Sequence, residues 1–509
     1  MSTKQAFTDY INKGYATKGD YINLGAAMYN EETAAQAYVK IPLKTMNRHG
    51  LIAGATGTGK TKTLQIIAEN LSAKGVPVLL MDVKGDLSGI AEPGSNNAKI
   101  EERHQAIGFP YEAKKFPAEI LSLSNQEGVR LRATVSEFGP VLLSRILGLN
   151  DVQSGIVAVI FKYCDDHKMP LLDLQDFKKI LQYTTEEGKD TFSKEYGRIS
   201  TASTGVIFRK VIALEQQGAN LFFGEKSFDP QDLLRKDENG MGFINIVRLT
   251  DIQDRPKLFS TFMLSLLAEI YATFPEQGDS GKPELAIFID EAHLIFKQAS
   301  TALLDQIESI VKLIRSKGVG LYFVTQNPTD VPEAVLSQLG LKVQHALRAF
   351  TAKDRRAIKL TAENYPLSPY YKTDEVLTKL GIGEALVSAL NEKGIPTPLA
   401  RTMLRAPMSR MDILTDSELS GLLKTSKLIP KYNEHTNRNS AYEMLNEKIK
   451  EANKAETKEK AKKEKEAASK TVRKKSSSSK KSSSSPWIKA LSSPTVIRSV
   501  LGILSKMIK

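Results

Sequence analysis

Residues 49–71, "HGLIAGATGTGKTKTLQIIAENL", constrain this chain more than any other stretch. A short apolar run ends in a glycine-rich turn, Gly54–Thr61, and the residues after it place Leu64, Ile67 and Leu71 at helical spacing. The turn, "GATGTGKT", is a complete match to G-x-x-x-x-G-K-[ST], and it stands in the strand–turn–helix setting that gives that pattern its meaning. Glycines let the backbone of Gly54, Ala55, Thr56, Gly57, Thr58 and Gly59 wrap until successive N–H groups face a phosphate at a helix N-terminus. Lys60 would reach the β- and γ-phosphates, and the Thr61 hydroxyl would hold Mg²⁺. Next comes "VPVLLMDVKGD", a second apolar strand, so the segment is a βαβ unit with parallel strands and a right-handed crossover.

A phosphate loop states only that a nucleoside triphosphate binds. What happens to it depends on "ELAIFIDEAH", which puts Asp290 and Glu291 at the carboxyl end of another apolar strand. In a parallel sheet that end lies beside the phosphate loop. There Asp290 can hold Mg²⁺ and Glu291 can polarise a water for attack on the γ-phosphate, which implies hydrolysis. The alternative is a helix N-cap at Asp290 with glutamate in the first turn. His293 follows, and a structural or coupling role suits it as well as a chemical one. The segment "DVKGD" contains the D-x-x-G of GTPases, but no N-K-x-D follows it. A small-molecule kinase would not need the glutamate beside the aspartate.

Residues 313–328, "LIRSKGVGLYFVTQNP", raise a different question, because a strand built for a buried sheet carries Arg315 before it and Gln326 at its end. If this strand lies between the phosphate-loop strand and the one ending in Asp290, Gln326 faces the γ-phosphate and can sense it or orient the water. Arg315 then lies at the far end, out of reach of its own nucleotide. An arginine there can serve a neighbouring subunit's nucleotide, which requires a ring. It can equally be a surface arginine whose charge favours a helix C-terminus.

The rest of the chain bounds these readings. With 509 residues, 41% of them hydrophobic, it can bury a large core. A single cysteine, Cys164, excludes an internal disulfide and a cysteine-based zinc site. No secretory h-region and no run of eighteen apolar residues occurs, so a cytoplasmic location is expected. The formal charge of +13 is concentrated in the tail: residues 441–509 carry 18 Lys+Arg against 7 Glu, leaving 53 basic against 51 acidic side chains in residues 1–440. A wholly basic nucleic-acid surface is excluded, and only a local channel remains open, with Arg198, Arg209 and Lys210 as candidates.

Along the chain, residues 1–48 show no strong periodicity. Amphipathic stretches such as "SGIVAVIFKYCDDH" mark a mostly helical insertion over about 100–240. "GFINIVRL" and "VQHALRAF" read as strands, and "LFSTFMLSLLAEIYATF" and about Ala302–Arg315 as helices. Residues 406–440 read as a connecting segment. Residues 441–470 predict an exposed charged helix, within a charged and Ser/Lys-rich region running to 485. Residues 486–509 form an amphipathic pattern that suits docking to a protein or a membrane surface.

Together the phosphate loop, "LLMDVKGDLSG", "FIDEAHLIF", "LIRSKGVGLYFVTQNPTDVP" and "GLKVQHALRAF" resemble the HerA/FtsK superfamily of P-loop ATPases. The resemblance is more specific to a bacterial HerA-like family, and it runs from roughly Tyr21 to Arg405. It implies an α/β fold: a RecA-like P-loop NTPase core over 49–405 with a mainly parallel sheet, a large helical insertion, and a helical or disordered C-terminal tail. It implies ATP and Mg²⁺ as ligands and a homo-oligomeric, hexameric ring that threads DNA. By motif match it gives Glu291 the general-base role, Thr61 and Asp290 the Mg²⁺ roles and Gln326 the sensor role. Arg315 takes the arginine-finger role, with Arg348 as a second candidate. Only 53 residues precede the phosphate loop, too few for the β-barrel through which archaeal HerA helps recruit a nuclease, so no nuclease partner is implied. The expected function is an Mg²⁺-dependent ATP hydrolase acting as a DNA translocase or helicase-like motor. The alternative is a ring ATPase acting on protein, or a regulatory ATPase docked through its C-terminal helix.

Overall fold

The computed structural model describes residues 3–278, 280–296, 301–434 and 439–475. The amphipathic pattern at 486–509 and the Ser/Lys-rich stretch before it lie outside the described residues. The frame is a 12-stranded sheet. Its strands are β1 (Tyr21–Tyr29), β2 (Glu32–Pro42), β3 (Gly50–Ala53), β4 (Val78–Asp82), β5 (Ala118–Ser122), β6 (Val129–Arg130), β7 (Ile244–Arg248), β8 (Leu285–Ile289), β9 (Val319–Thr325), β10 (Leu341–Gln344), β11 (Glu384–Ser388) and β12 (Ala400–Leu404).

The order across the sheet is β2-β1-β12-β11-β10-β3-β9-β8-β4-β7-β5-β6. From β10 to β6 all neighbours are parallel, and from β10 outward through β11, β12, β1 and β2 they are antiparallel. The reason is legible in composition. Central strands β3, β4, β8 and β9 are continuous apolar runs with every residue buried, as a sheet covered on both faces requires. Phe288 and Tyr322 stack at 4.6 Å between ring centroids across β8 and β9. The Tyr322 hydroxyl donates to the Met46 carbonyl oxygen.

Three regions read differently in the structure than in the sequence. Residues 1–48 hold a helix, Thr3–Gly14, and the β1–β2 pair, which extends the main sheet. Their pattern was hidden because β1 is buried over seven consecutive residues, so it shows no alternation. Within the helical insertion the long helical run lies between β6 and β7, a helix at Ala98–Ile107 stands between β4 and β5, and β5 and β6 are sheet strands. Residues 406–440 are also more than a connector. Asn433 accepts the Arg130 N–H at 2.9 Å and donates to the Gly128 carbonyl at 2.9 Å, closing the edge at β6.

Met408, Ser409 and Arg410 strap across helix Lys60–Ala73. The buried Glu69 carboxylate accepts the N–H groups of Met408 (2.7 Å) and Ser409 (3.0 Å), and Gln65 donates to Ser409 Oγ (2.7 Å). Residues Met1–Leu445 form one compact unit and Asn446–Lys509 a second. Within the second, the helix that begins at Ala441 continues to Lys475, with exposed charged side chains such as the Glu459–Lys463 pair. Among the described residues no helix is long and apolar enough to cross a membrane.

His49 locks the start of β3 to the segment that carries Arg315. Its Nε2 donates to the Val311 carbonyl oxygen (2.8 Å) and its Nδ1 accepts the Leu321 N–H (3.0 Å). Burial, with the Arg315 charge adding to it, pushes its pKa down to about 4 and keeps the ring neutral. The unfolded chain takes up a proton between pH 6.5 and 4 that the native protein refuses. Stability therefore falls as pH drops through that window, by roughly 3 kcal/mol from this residue alone. Urea unfolding of His49→Asn should begin from lower stability and lose less of it between pH 7 and 4 than the parent does.

Candidate nucleoside triphosphate site

The carboxyl ends of β3, β9, β8 and β4 lie side by side in that order, and each carries a chemical group into one place. After β3, the loop Gly54–Gly59 turns through positive φ at Gly54 (153°), Gly57 (79°) and Gly59 (110°), and helix Lys60–Ala73 starts on Gly59. Two bonds brace the turn: Gly54 N–H to Thr325 O (3.3 Å) and Ala55 N–H to Ala346 O (2.9 Å). The second explains why "VQHALRAF" does not continue as a strand: the His345 N–H still bonds to Ala53 of β3, and from Ala346 the backbone serves the phosphate loop.

His345 is buried under the loop, with Nε2 2.8 Å from the Thr63 hydroxyl, and burial pushes its pKa down to about 4. Thr56 and Gly57 are exposed, Thr61 is half-buried, and the Lys60 ammonium donates to the carbonyl oxygens of Gly54 (2.7 Å) and Ala55 (3.1 Å). Burial, and the nearby Lys84 charge, hold the Lys60 pKa below the usual lysine value.

At the end of β8, Asp290 does not cap a helix. Its Oδ1 accepts the N–H of the next residue, Glu291 (2.9 Å), while the helix that follows begins only at His293. Glu291 itself sits at φ 47°, a left-handed conformation that costs an ordinary residue about 1 kcal/mol. That turn lays its carboxylate beside Asp290. Lys84 Nζ lies 2.9 Å from Glu291 Oε1 and 4.0 Å from Asp290 Oδ2. Asp290 Oδ2 and Glu291 Oε2 are among the buried oxygens of the described residues that have no hydrogen-bond partner. His293 Nδ1 stands 3.3 Å from that Oε2, close enough for charge interaction but not aligned as a hydrogen bond. Burial pushes the Asp290 pKa up to about 6, opposed by Lys84 and reinforced by Glu291.

This donor set fits a hard divalent cation shared with a triphosphate: one hydroxyl, Thr61, and one buried carboxylate oxygen with open valence, Asp290 Oδ2. Among the described residues no group of three or more His, Cys, Asp or Glu could hold a metal by itself, which suits a cation that takes its remaining ligands from phosphate and water.

Gln326 is exposed at the end of β9 and lines a cleft of about 220 Å³ with Ala55, Thr56, Asn327, Arg348 and Phe350. The structure thus brings Gln326 and Arg348 to their own phosphate loop. It does not bring Arg315 there. Arg315 stands before the other end of β9, and seven strand residues put about 20 Å between the two ends. It lines a separate pocket of about 330 Å³ with Lys44, Arg48 and Lys312. Of the channel candidates in the insertion, Arg198 and Arg209 are exposed, and Lys210 donates to the Gly148 carbonyl oxygen. Lys84 was missed in the sequence, where "DVKGD" drew notice only for its D-x-x-G spacing.

The sequence model of the helicase HerA-like C-terminal family matches residues 28–508. The chain belongs to the HerA-like family. Among its relatives is the DNA double-strand break repair helicase HerA of Sulfolobus acidocaldarius, 24% identical over 384 residues, covering 74% of this chain and 68% of that protein. The protein of the same description from Saccharolobus solfataricus is 22% identical over 353 residues, covering 69% of this chain and 63% of its own length. Among solved structures, the bacterial conjugative coupling protein TrwBdeltaN70 superposes with a TM-score of 0.52 at 14% identity, over 80% of this chain and 94% of that one. TrwB in complex with a non-hydrolysable ATP analogue gives 0.50 at 16%, over 78% and 99%. These likenesses show the shared fold. This HerA-like chain is a P-loop ATPase.

Proposed function

We propose that this chain is an Mg²⁺-dependent ATP hydrolase that works in the cytoplasm as a homo-oligomeric, hexameric ring and moves DNA. Lys60 and the loop N–H groups bind the triphosphate, and Thr61 and Asp290 would hold the cation, which would supply neutralising charge to the phosphates. Glu291 orients and deprotonates the attacking water, and Gln326 senses the γ-phosphate from the end of the adjacent strand. The observation that carries the ring reading is the split of β9. Gln326 lines a cleft with its own phosphate loop, while Arg315 stands about a strand length away, which supports a role for it at the next subunit's nucleotide. Arg348 shares a cleft with its own Ala55 and Thr56, which favours Arg315 as the residue acting across the interface. The relatives described as DNA repair helicases support DNA as the substrate. The near balance of charge over residues 1–440 favours, as a second reading, a ring that acts on protein.

ATPase rate with duplex DNA, single-stranded DNA or RNA at low salt, measured beside native mass, separates these readings. A hexamer stimulated by DNA is expected, and a monomer indifferent to nucleic acid would remove the translocase. Sharing across the interface is tested by mixing. Arg315→Ala rings should be slower than the parent by about 10³-fold or more, and Glu291→Gln rings by about 10²–10⁴-fold. A mixture should recover activity at interfaces that pair an intact Glu291 with a neighbour's intact Arg315. Full activity in Arg315→Ala alone would place the finger elsewhere.

A further inference from the structure

Lys84 reaches the site from β4 and is held there by a purpose-shaped turn. The buried Asp82 carboxylate accepts three N–H groups in succession, Gly85 (2.7 Å), Asp86 (3.2 Å) and Leu87 (3.2 Å). Gly85 takes φ 77°, and a Cβ there would come within 2.7 Å of Thr250 Cγ2, so the turn is closed to larger residues. Gln253 donates to the Val83 carbonyl oxygen and ties the same turn to the segment after β7. The result is an ammonium fixed over the carboxylate pair, in contact with Glu291 Oε1 and near Asp290 Oδ2.

We infer that Lys84 is the positioning residue of the general base. This rests on the reading of Glu291 given above. A carboxylate on a backbone in the left-handed region can swing about its side-chain torsions, and a base that swings is mispositioned for most of the time. Lys84 engages Oε1 alone, which fixes the plane of the carboxylate and leaves Oε2, buried and without a hydrogen-bond partner, as the oxygen that accepts the water's proton. Its place at the fourth strand end in the row β3, β9, β8, β4 leaves Lys60 to the phosphates and Lys84 to the base. Asp82, read from the sequence as part of a nucleotide-class motif, then serves as the support of that lysine.

The test uses the full chain with Lys84→Met, Lys84→Arg and Glu291→Gln beside the parent, reading kcat, KM and binding of a fluorescent ATP analogue. Lys84→Met should lower kcat by about 10- to 100-fold while KM and analogue binding change less than about threefold. Lys84→Arg, which keeps the charge, should recover at least about tenfold over methionine. A kcat in Lys84→Met within about threefold of the parent would overturn the inference, as would equal losses in both lysine variants. Should Lys84→Met not fold, Lys84→Arg and Lys84→Gln carry the same comparison. An inactive parent, or an active Glu291→Gln, would sink the general-base reading itself. An active parent with a dead Glu291→Gln and an unaffected Lys84→Met would sink the lysine alone.

Discussion

Glu291→Gln should stop hydrolysis and leave nucleotide binding intact. The substitution keeps the shape of the side chain and removes the carboxylate proposed to take a proton from water, so kcat is expected to fall by about 10²–10⁴-fold. Binding survives because the residues that would hold the triphosphate, Lys60 and the loop from Gly54 to Gly59, belong to β3 and its helix rather than to β8. The change also removes one of the charges that raise the Asp290 pKa, after burial the main such influence, so Asp290 ionises more readily in the variant. A fluorescent ATP analogue should therefore bind with an affinity within about threefold of the parent while phosphate release is lost. Parallel loss of binding and turnover would mean that Glu291 holds the site together rather than acting on water.

Gly54→Val should cost both the loop and the fold around it. Gly54 takes φ 153°, and a Cβ there would come within 2.5 Å of His345 Cβ and 3.1 Å of His345 Cα. His345 cannot yield easily, because its N–H is bonded to the Ala53 carbonyl oxygen (2.7 Å) and its ring reaches Thr63 in the helix after the loop. The strain falls on the phosphate loop itself. A loss of about 2–4 kcal/mol in denaturant unfolding is expected. ATP affinity should drop by about 100-fold or more, equivalent to roughly 3 kcal/mol. Gly57→Ala is the control: φ is 79°, but a Cβ there meets nothing within 4 Å, so only the backbone cost of about 1–2 kcal/mol applies. Equal effects at the two glycines would mean that His345 does not limit the loop.

Much of the site was legible because its parts are local. The phosphate loop is eight consecutive residues whose glycines specify their own backbone, and Asp290 and Glu291 are neighbours at the end of an apolar run. The position of β9 between β3 and β8 was the condition on which the reading of Gln326 and Arg315 rested, and the sheet order meets it. The first two strands were not legible, because β1 is buried on both faces and loses the alternation that marks a half-exposed strand. Lys84 was hidden for another reason: nothing near it in the chain distinguishes a lysine after a strand from any solvated lysine. The strap at Met408–Arg410 was equally silent, since its partner Glu69 is a helix residue whose burial depends on that strap.

The sequence by itself determined the chemistry that short-range geometry can encode: a triphosphate cradle, a carboxylate pair at a strand end, and parallel strands from the βαβ unit. Only the tertiary structure decided which side chains meet across strands. It set Lys84 against Glu291, His345 beneath Gly54, and Arg348 rather than Arg315 beside its own loop. The physical reason is that backbone conformation is set within a few residues, whereas ion pairs and close packing depend on strand order, which the chain reveals only once the sheet is assembled.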